Sequence, residues 1–202
     1  MKIFDALALI INIAFVGIMA LSLNHNHTKK VETEIDLLLF YGSFDKDQDG
    51  CLYVTEIVDL FRWCQTEIEY NAHEGYQTPL KTVHKKSGKC IDVSLLIAHC
   101  LYSYFRVEPY IGEIALNNED MTVNHACCLI PLPAEMKEIM NEELGYEVNF
   151  FHIGNDSIYY VIIDPLCCNE FGLLNTEKYY LIHARPLRDY RFNDLIFSRV
   201  IH

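Results

Sequence analysis

The sequence predicts an α+β fold, with helices in the first half of the chain and an antiparallel sheet in the second. Up to about residue 105, apolar side chains recur at helical spacing. Beyond that point the apolar segments are short, rich in β-branched and aromatic residues, and separated by turns. The chain has 202 residues, of which 51% are hydrophobic, so it is long and apolar enough for one globular domain with a core.

The charge and the cysteines argue against two classes of protein. The net charge of −12 argues against nucleic acid as a partner, because binding to phosphates requires clustered Lys and Arg. The eight cysteines include no C-x-x-C pair, which argues against a zinc ribbon or a thioredoxin-like motif. Two adjacent pairs, Cys127-Cys128 and Cys167-Cys168, are each expected to place one member on the buried face of a strand. We therefore expect mostly reduced thiols that pack as small hydrophobic side chains.

The first element is an uncharged apolar run at residues 6–23, which is long enough to approach a membrane span. A cleaved signal peptide is an alternative, since Lys2 precedes the run and residues 20–22 loosely match a cleavage motif. A buried core helix is a further alternative, although Asn12 is the only strongly polar residue of the run. We predict that residues 1–24 are a transmembrane anchor, with the signal peptide as the competing interpretation.

A polar linker follows at residues 25–31. Lys29 and Lys30 near its end slightly outweigh Lys2 and the amino terminus on the other side of the apolar run, which favours a cytoplasmic C-terminal part. The sequence therefore predicts a single-pass membrane protein whose remaining residues lean towards the cytoplasmic side.

Residues 45–56 match a twelve-residue calcium-binding loop at every position. Carboxylates occupy positions 1, 3, 5 and 12, and Gly50 occupies position 6, where the chain turns sharply with positive φ. A solvated acidic turn would explain the acidity but not the glycine, the aliphatic Leu52 at position 8 and the final glutamate together. The predicted Ca²⁺ ligands are the side chains of Asp45, Asp47, Asp49 and Glu56 and the backbone carbonyl of Cys51.

Helices are predicted on both sides of this loop, at residues 32–44 and 54–71. Their apolar sides are formed by Ile35, Leu38, Leu39 and Phe40 in the first helix and Ile57, Leu60, Phe61 and Cys64 in the second. Helix, loop and helix together resemble the EF-hand family over residues 32–72. The resemblance implies one bound Ca²⁺ and leaves the activity of the chain open.

The remaining elements follow in order. Residues 75–88 are predicted as a loop and residues 90–105 as a strongly apolar helix. A short helix is predicted at residues 134–144, between the second and third of five strands. The predicted strands are residues 107–116, 122–132, 148–153, 158–164 and 179–183.

The first residue with a predicted catalytic role is Cys90, which lies at the start of the predicted apolar helix. A cysteine at a helix N-terminus meets exposed backbone N–H groups and the positive end of the helix dipole, which favour the thiolate. Such a cysteine alone is more often a core residue, because a nucleophile also needs a histidine and an orienting acid. His125 on the second strand and Asp164 at the tip of the fourth are the predicted partners, since neighbouring antiparallel strands can place them side by side.

The order and context of these residues resemble the transglutaminase-like superfamily of cysteine enzymes. Residues 88–96 (GKCIDVSLL) match its G-x-C-x-D-hydrophobic-[AS]-x-L pattern, and His125-Ala126 and Asp164-Pro165 match the starts of its two other motifs. The resemblance covers about residues 57–166. It implies a papain-like domain at residues 57–202, with helices packed on an antiparallel sheet and preceded by the EF-hand and the N-terminal hydrophobic helix.

The resemblance also implies a mechanism. Cys90 attacks an amide carbonyl, His125 protonates the departing amine, and Asp164 holds the imidazole in its working tautomer. The expected function is a calcium-binding, membrane-tethered cysteine hydrolase or acyltransferase acting on a protein or peptide substrate.

The alternative is a catalytically inactive EF-hand interaction protein that keeps the fold. It remains open because Cys127 and Leu166 stand where the family usually has an aromatic residue and a threonine. An insertion at residues 133–157, which adds a helix and a strand, also separates the histidine and aspartate motifs.

Overall fold

The computed structural model describes residues 34–116, 121–152, 158–174 and 179–189. Residues 1–31, where the sequence predicts the anchor and the linker, lie outside this part of the chain. The described residues from Leu38 onward form one compact unit. Among the described residues, no helix has the length and apolar character needed to cross a membrane.

Five α-helices occur in the described ranges. Their bounds are residues 34–42 for α1, Val54–Glu67 for α2, Pro79–Lys85 for α3, Cys90–Ser103 for α4 and Met136–Leu144 for α5. Helices α2 and α4 begin at the residues that the sequence predicts. The four apolar residues predicted for one side of α2 are all buried, which confirms its helical spacing.

Helix α3 lies within residues 75–88, where the sequence predicts a loop, so that prediction is wrong here. Thr78 caps this helix, because its side chain accepts a hydrogen bond from the backbone N–H of Lys81. Pro79 takes the first helical position, where its missing N–H leaves no bond unmade. The Thr-Pro pair is thus a helix-start signal that was present in the sequence.

The sheet confirms the α+β prediction. Five antiparallel strands are arranged in the order β5-β6-β4-β3-β7, and each of the five predicted strands overlaps one of them. Their bounds are Tyr110–Leu116 for β3, His125–Leu132 for β4, Phe150–His152 for β5, Tyr159–Ile163 for β6 and Tyr179–Pro186 for β7. Two further strands precede α4 along the chain and form a short parallel pair. They are Glu69–Tyr70 (β1) and Ser87–Gly88 (β2).

Helix α4 lies at the centre of the unit and contacts α2, α3, β3 and β4. Every residue from Asp92 to Leu101 is buried, as expected of a helix that is covered on all sides. The Ser94 hydroxyl donates to the Ala126 carbonyl at 3.1 Å, which ties the start of α4 to the start of β4. The first turn of α4 is therefore held against the central strand.

Helix α1 buries different residues from those that the sequence predicts. Leu39 is 70% exposed, whereas Leu37 and Tyr41 are buried, as is Phe44 just after the helix. The Tyr41 hydroxyl and His99 Nδ1 of α4 form a hydrogen bond of 2.9 Å, so the tyrosine faces inward. Burial lowers the pKa of His99 to about 4.

All eight cysteines lie in the described residues, and none of them forms a disulfide bond. Cys127 and Cys128 are both buried, because β4 is a central strand whose residues 125–130 are all buried. Cys167 and Cys168 lie in the turn after β6, outside any strand. The expectation that each pair places one member on the buried face of a strand is therefore wrong for both pairs.

Candidate functional site

The three predicted catalytic residues each lie at the end of an element. Cys90 is the first residue of α4, His125 is the first residue of β4, and Asp164 directly follows β6. Strands β4 and β6 are antiparallel neighbours in which Cys128 pairs with Ile163, so the start of β4 lies beside the end of β6. This pairing brings His125 and Asp164 together, as the sequence analysis predicts.

His125 and Asp164 form a buried pair. His125 Nε2 lies 2.6 Å from Asp164 Oδ2, and the two side chains are 8% and 2% exposed. Burial by itself lowers the pKa of the imidazole, but hydrogen bonds to Asp164, Cys167 and Cys90 and the charge of the carboxylate raise it well above its usual value. The site therefore favours a charged imidazolium next to a carboxylate.

The Cys90 thiol lies against this imidazolium. Burial of the half-buried side chain tends to raise the pKa of the thiol, but the hydrogen bond to His125 and the positive charge of the ring outweigh burial and lower it. The backbone N–H groups of Ala126 and Ile91 also hydrogen-bond to the sulfur and favour the thiolate. The arrangement stabilises a thiolate–imidazolium pair at the N-terminus of a helix.

Two further residues of this site carried no local signal in the sequence. The Tyr179 hydroxyl, from the first residue of β7, donates to Asp164 Oδ2 at 3.3 Å. The thiol of Cys167, three residues beyond Asp164, hydrogen-bonds to the imidazole of His125. Tyr179 belongs to a strand on the far side of β3, so only the sheet order brings it to the site.

The segment leading to Cys90 is anchored on Asp92, whose side chain is fully buried. One carboxylate oxygen accepts from the backbone N–H of Gln77 at 2.7 Å. The other pairs with His73 Nε2 at 2.7 Å and accepts from the backbone N–H of Lys89 at 3.0 Å. A single carboxylate therefore caps α4 and fixes the loop before it.

The acidic loop at residues 45–56 forms a second cluster of charged groups. One carboxylate oxygen from each of Asp45, Asp47 and Glu56 lies within 4.8 Å of the other two. Two oxygens bound to one Ca²⁺ at about 2.4 Å are separated by at most about 4.8 Å, so these three carboxylates could hold such an ion. Gly50 has a φ of +72°, the turn that the sequence analysis expects at this position.

Asp45 is buried, with 3% exposure, and its carboxylate is held by two hydrogen bonds. Its Oδ2 accepts from the backbone N–H of Gly50 at 2.9 Å and from the hydroxyl of Tyr104 at 3.0 Å. Its Oδ1 is buried and has no hydrogen-bond partner. A buried carboxylate oxygen without a donor needs a positive partner, which supports a cation-binding role for the loop. Tyr104, at the end of α4, was not predicted from the sequence.

The two other predicted ligands are placed differently. Asp49 accepts from the backbone N–H of Cys51 at 2.7 Å and from the hydroxyl of Tyr53 at 3.0 Å, and it is not part of the three-carboxylate cluster. Cys51 is exposed. The predicted ligand set is thus brought together in part, through Asp45, Asp47 and Glu56.

Comparison with known proteins assigns no family to the chain. No protein-family model matches the chain, and no curated protein is significantly similar to it. Within the described residues, two groups of side chains could hold a metal ion. They are Asp45, Asp47 and Glu56 in the acidic loop, and His125, Asp164 and Cys167 beside Cys90.

Proposed function

We propose that the chain is a cysteine hydrolase or acyltransferase of the transglutaminase-like type that acts on amide bonds of a protein or peptide. The observation that carries this proposal is the buried pair of His125 and Asp164, 2.6 Å apart, with the Cys90 thiol against the imidazole. A nucleophilic cysteine needs a base within hydrogen-bond reach and a third group that orients the base. These three residues meet both conditions.

The proposed reaction gives each of the three residues a distinct role. The Cys90 thiolate attacks the amide carbonyl, and the C–N bond breaks to leave a thioester on the sulfur. The His125 imidazolium gives its proton to the departing amine, while Asp164 keeps the ring in position. The neutral imidazole then accepts a proton from water, which hydrolyses the thioester, or from an amine, which becomes the new acyl acceptor.

The start of α4 supplies stabilisation for the oxyanion. The backbone N–H groups at a helix N-terminus point away from the helix and carry partial positive charge. The network around Asp92 holds this first turn and the loop before it rigid, which is the preorganisation that such a site requires. Asp92 acts here as a positioning residue.

Selective alkylation of Cys90 tests the proposal. The full-length chain is treated with iodoacetamide at about pH 7, and the alkylation rates of the eight cysteines are followed by mass spectrometry. We expect Cys90, which is half-buried, to react faster than the exposed Cys51. His125→Ala should slow Cys90 by about tenfold or more, since it removes the partner that lowers the pKa of the thiol. Equal slow labelling of Cys90 and Cys51 would refute the catalytic role.

The same experiment addresses a second candidate, a catalytically inactive calcium-binding interaction protein. Cys127 and Leu166 favour this candidate, because they replace the aromatic residue and the threonine usual after the histidine and aspartate of the resembled family. An inactive protein that keeps the fold has no need of a reactive thiolate. Unselective labelling of Cys90 would therefore favour the second candidate.

We further propose that the acidic loop binds one Ca²⁺ in the manner of an EF-hand. The cluster of Asp45, Asp47 and Glu56 and the unpartnered Asp45 oxygen support this proposal. Asp49 and the carbonyl of Cys51 would complete the oxygen shell of six to eight ligands that Ca²⁺ prefers. The ion would hold the loop between α1 and α2.

Residues 1–24 are proposed as a single-pass membrane anchor with the remaining chain on the cytoplasmic side. The uncharged apolar run at residues 6–23 supports this proposal. Full-length protein expressed in its host should stay in the membrane fraction after an alkaline carbonate wash. Release by the wash, or a mature protein that starts after Ser22, would rule out the anchor.

A further inference from the structure

A second thiol lies beside the buried pair of His125 and Asp164. Cys167 is half-buried in the turn that follows β6. One ligand atom from each of His125, Asp164 and Cys167 lies within 4.8 Å of the other two. Imidazole nitrogen, carboxylate oxygen and thiolate sulfur are the three donors that Zn²⁺ uses in proteins.

We propose that His125, Asp164 and Cys167 form a Zn²⁺ site that switches off Cys90. The proposal deepens the proposed function, since it assigns a regulator to the same site, although metal binding itself does not require catalysis. An ion between His125 and Asp164 replaces the proton that the imidazole shares with that carboxylate, so the ring is no longer an imidazolium. The Asp164 carboxylate and the Cys167 thiolate neutralise the two charges of the ion, so the Cys90 thiolate loses the positive charge that stabilises it.

The geometry needs little adjustment to accept the ion. Zn²⁺ lies about 2.0–2.3 Å from its ligands, which in a tetrahedral site are about 3.3–3.7 Å from one another. His125 Nε2 and Asp164 Oδ2, now 2.6 Å apart, must therefore separate slightly to admit the ion. The turn that carries Cys167 is fixed at Asp164, whose carbonyl accepts from the backbone N–H groups of Cys167 at 3.2 Å and Cys168 at 2.9 Å. These backbone bonds hold the turn beside the imidazole, so the adjustment is expected in the side chains.

The surroundings support the ligands. The Tyr179 hydroxyl donates to Asp164 Oδ2 at 3.3 Å, and an outer hydrogen bond of this kind orients a metal-binding carboxylate. Asp164 is 2% exposed, whereas Cys167 is half-buried and gives the ion a route from solvent. Binding releases the thiol proton of Cys167 and the proton on the coordinating ring nitrogen. Three protein ligands leave the fourth tetrahedral position for water.

The donor types separate this site from the acidic loop. The loop offers carboxylate oxygens from Asp45, Asp47 and Glu56, which suit Ca²⁺. A thiol and an imidazole are ligands that Ca²⁺ does not favour and that Zn²⁺ and Co²⁺ do. Excess Ca²⁺ therefore leaves the site at Cys167 open to Zn²⁺.

The test uses Co²⁺ as a spectroscopic substitute for Zn²⁺ in the full-length chain, purified in detergent with excess Ca²⁺. We expect one Co²⁺ per chain, with the strong visible bands of tetrahedral Co²⁺ and a thiolate charge-transfer band, all displaced by Zn²⁺. Cys167→Ser should abolish the thiolate band and weaken binding by more than about tenfold. Cys51→Ser, which removes the exposed thiol, and Asp45→Asn, in the acidic loop, should both keep the band.

Alkylation of Cys90 provides the functional readout, with each variant compared with itself in the presence and absence of Zn²⁺. Saturating Zn²⁺ should slow Cys90 about tenfold or more in the wild type and have little effect in Cys167→Ser. In the wild type, Zn²⁺ should also protect Cys167 from alkylation, a measurement that needs no variant.

Three results would overturn the zinc site: no thiolate band in the wild type, a band that persists in Cys167→Ser, or no protection of Cys167. Unselective labelling of Cys90 in metal-free protein would instead refute the proposed catalytic function. That result would leave the cobalt spectrum as an independent test of the metal site.

Discussion

The charge of Asp164 acts on His125, and the charge of His125 acts in turn on Cys90. Asp164 raises the pKa of His125 against the effect of burial, and the charged His125 lowers the pKa of Cys90 against the effect of burial. The thiolate–imidazolium pair is present between these two values, above the lowered pKa of Cys90 and below the raised pKa of His125. The reactive form of Cys90 is therefore expected at a pH where an ordinary thiol is protonated.

Asp164→Asn tests this coupling. Without the carboxylate the pKa of His125 falls, the ring is neutral at lower pH, and the pKa of Cys90 rises. We expect the alkylation rate of Cys90, plotted against pH, to move to higher pH. At about pH 6, below the raised pKa of the thiol, each unit of increase in that pKa lowers the thiolate fraction about tenfold. The alkylation rate there should therefore drop by about tenfold or more.

The exposed Glu138 on α5 offers a matched charge removal away from the site. Glu138→Gln should leave the pH profile unchanged. An unchanged profile in Asp164→Asn would show that the carboxylate does not act through the imidazole.

At the scale of elements, the start of α4 depends on one buried carboxylate. Asp92 accepts hydrogen bonds from the backbone of Gln77 and Lys89 and pairs with His73, so its removal leaves buried donors unmatched. Asp92→Ala should lower the free energy of unfolding by about 3 kcal/mol, measured by urea denaturation. Glu74→Ala, at an exposed position in the same loop, serves as the control. A loss below about 0.5 kcal/mol would mean that the loop is held by other contacts.

The end of α4 is linked to the acidic loop by the hydrogen bond from the Tyr104 hydroxyl to Asp45 Oδ2, 3.0 Å long. Tyr104→Phe removes the donor and keeps the ring. We expect a lower urea midpoint in the presence of a chelator, because the Asp45 carboxylate then loses one of its two hydrogen bonds to Oδ2. Tyr70→Phe, at an exposed position, should leave the midpoint unchanged. Equal midpoints for both variants would argue against the link.

At the scale of the molecule, Ca²⁺ is expected to act on stability more than on chemistry. Glu56 lies on α2, and Asp45 is bonded to Tyr104 at the end of α4, so the ion would join the two helices that pack together in the core. A single loop should bind weakly, with a dissociation constant in the upper part of the roughly 10⁻⁶ to 10⁻³ M range. At Ca²⁺ a hundredfold above that constant, mass action adds about 2.7 kcal/mol.

Thermal melting of the full-length chain in Ca²⁺ or chelator measures this effect. The stabilisation corresponds to a rise in Tm of roughly 5–10 °C for a chain of this size. Glu56→Gln and Asp45→Ala should each abolish the calcium-dependent rise. A rise that survives both substitutions would place the ion elsewhere, and no rise in the wild type would rule out the site.

Much of the architecture follows from local patterns. The α+β class, the starts of α2 and α4 and the approximate positions of all five strands of the sheet were predictable, because the spacing of apolar residues reports which face of each element is buried. The acidic loop was also predictable, since its residues lie within twelve consecutive positions. Helix α3 was missed although Thr78 and Pro79 signal its start.

The site itself depended on contacts that local patterns do not encode. The sequence by itself determined that Cys90 opens a helix, that His125 belongs to a strand and that Asp164 lies at the tip of another, because these are local properties of short segments. Only the pairing of β4 with β6 placed the histidine 2.6 Å from the aspartate. The hydroxyl of Tyr179 reaches that aspartate because β7 pairs with β3. Contacts between residues far apart in the chain arise from sheet order and packing, which tertiary structure alone decides.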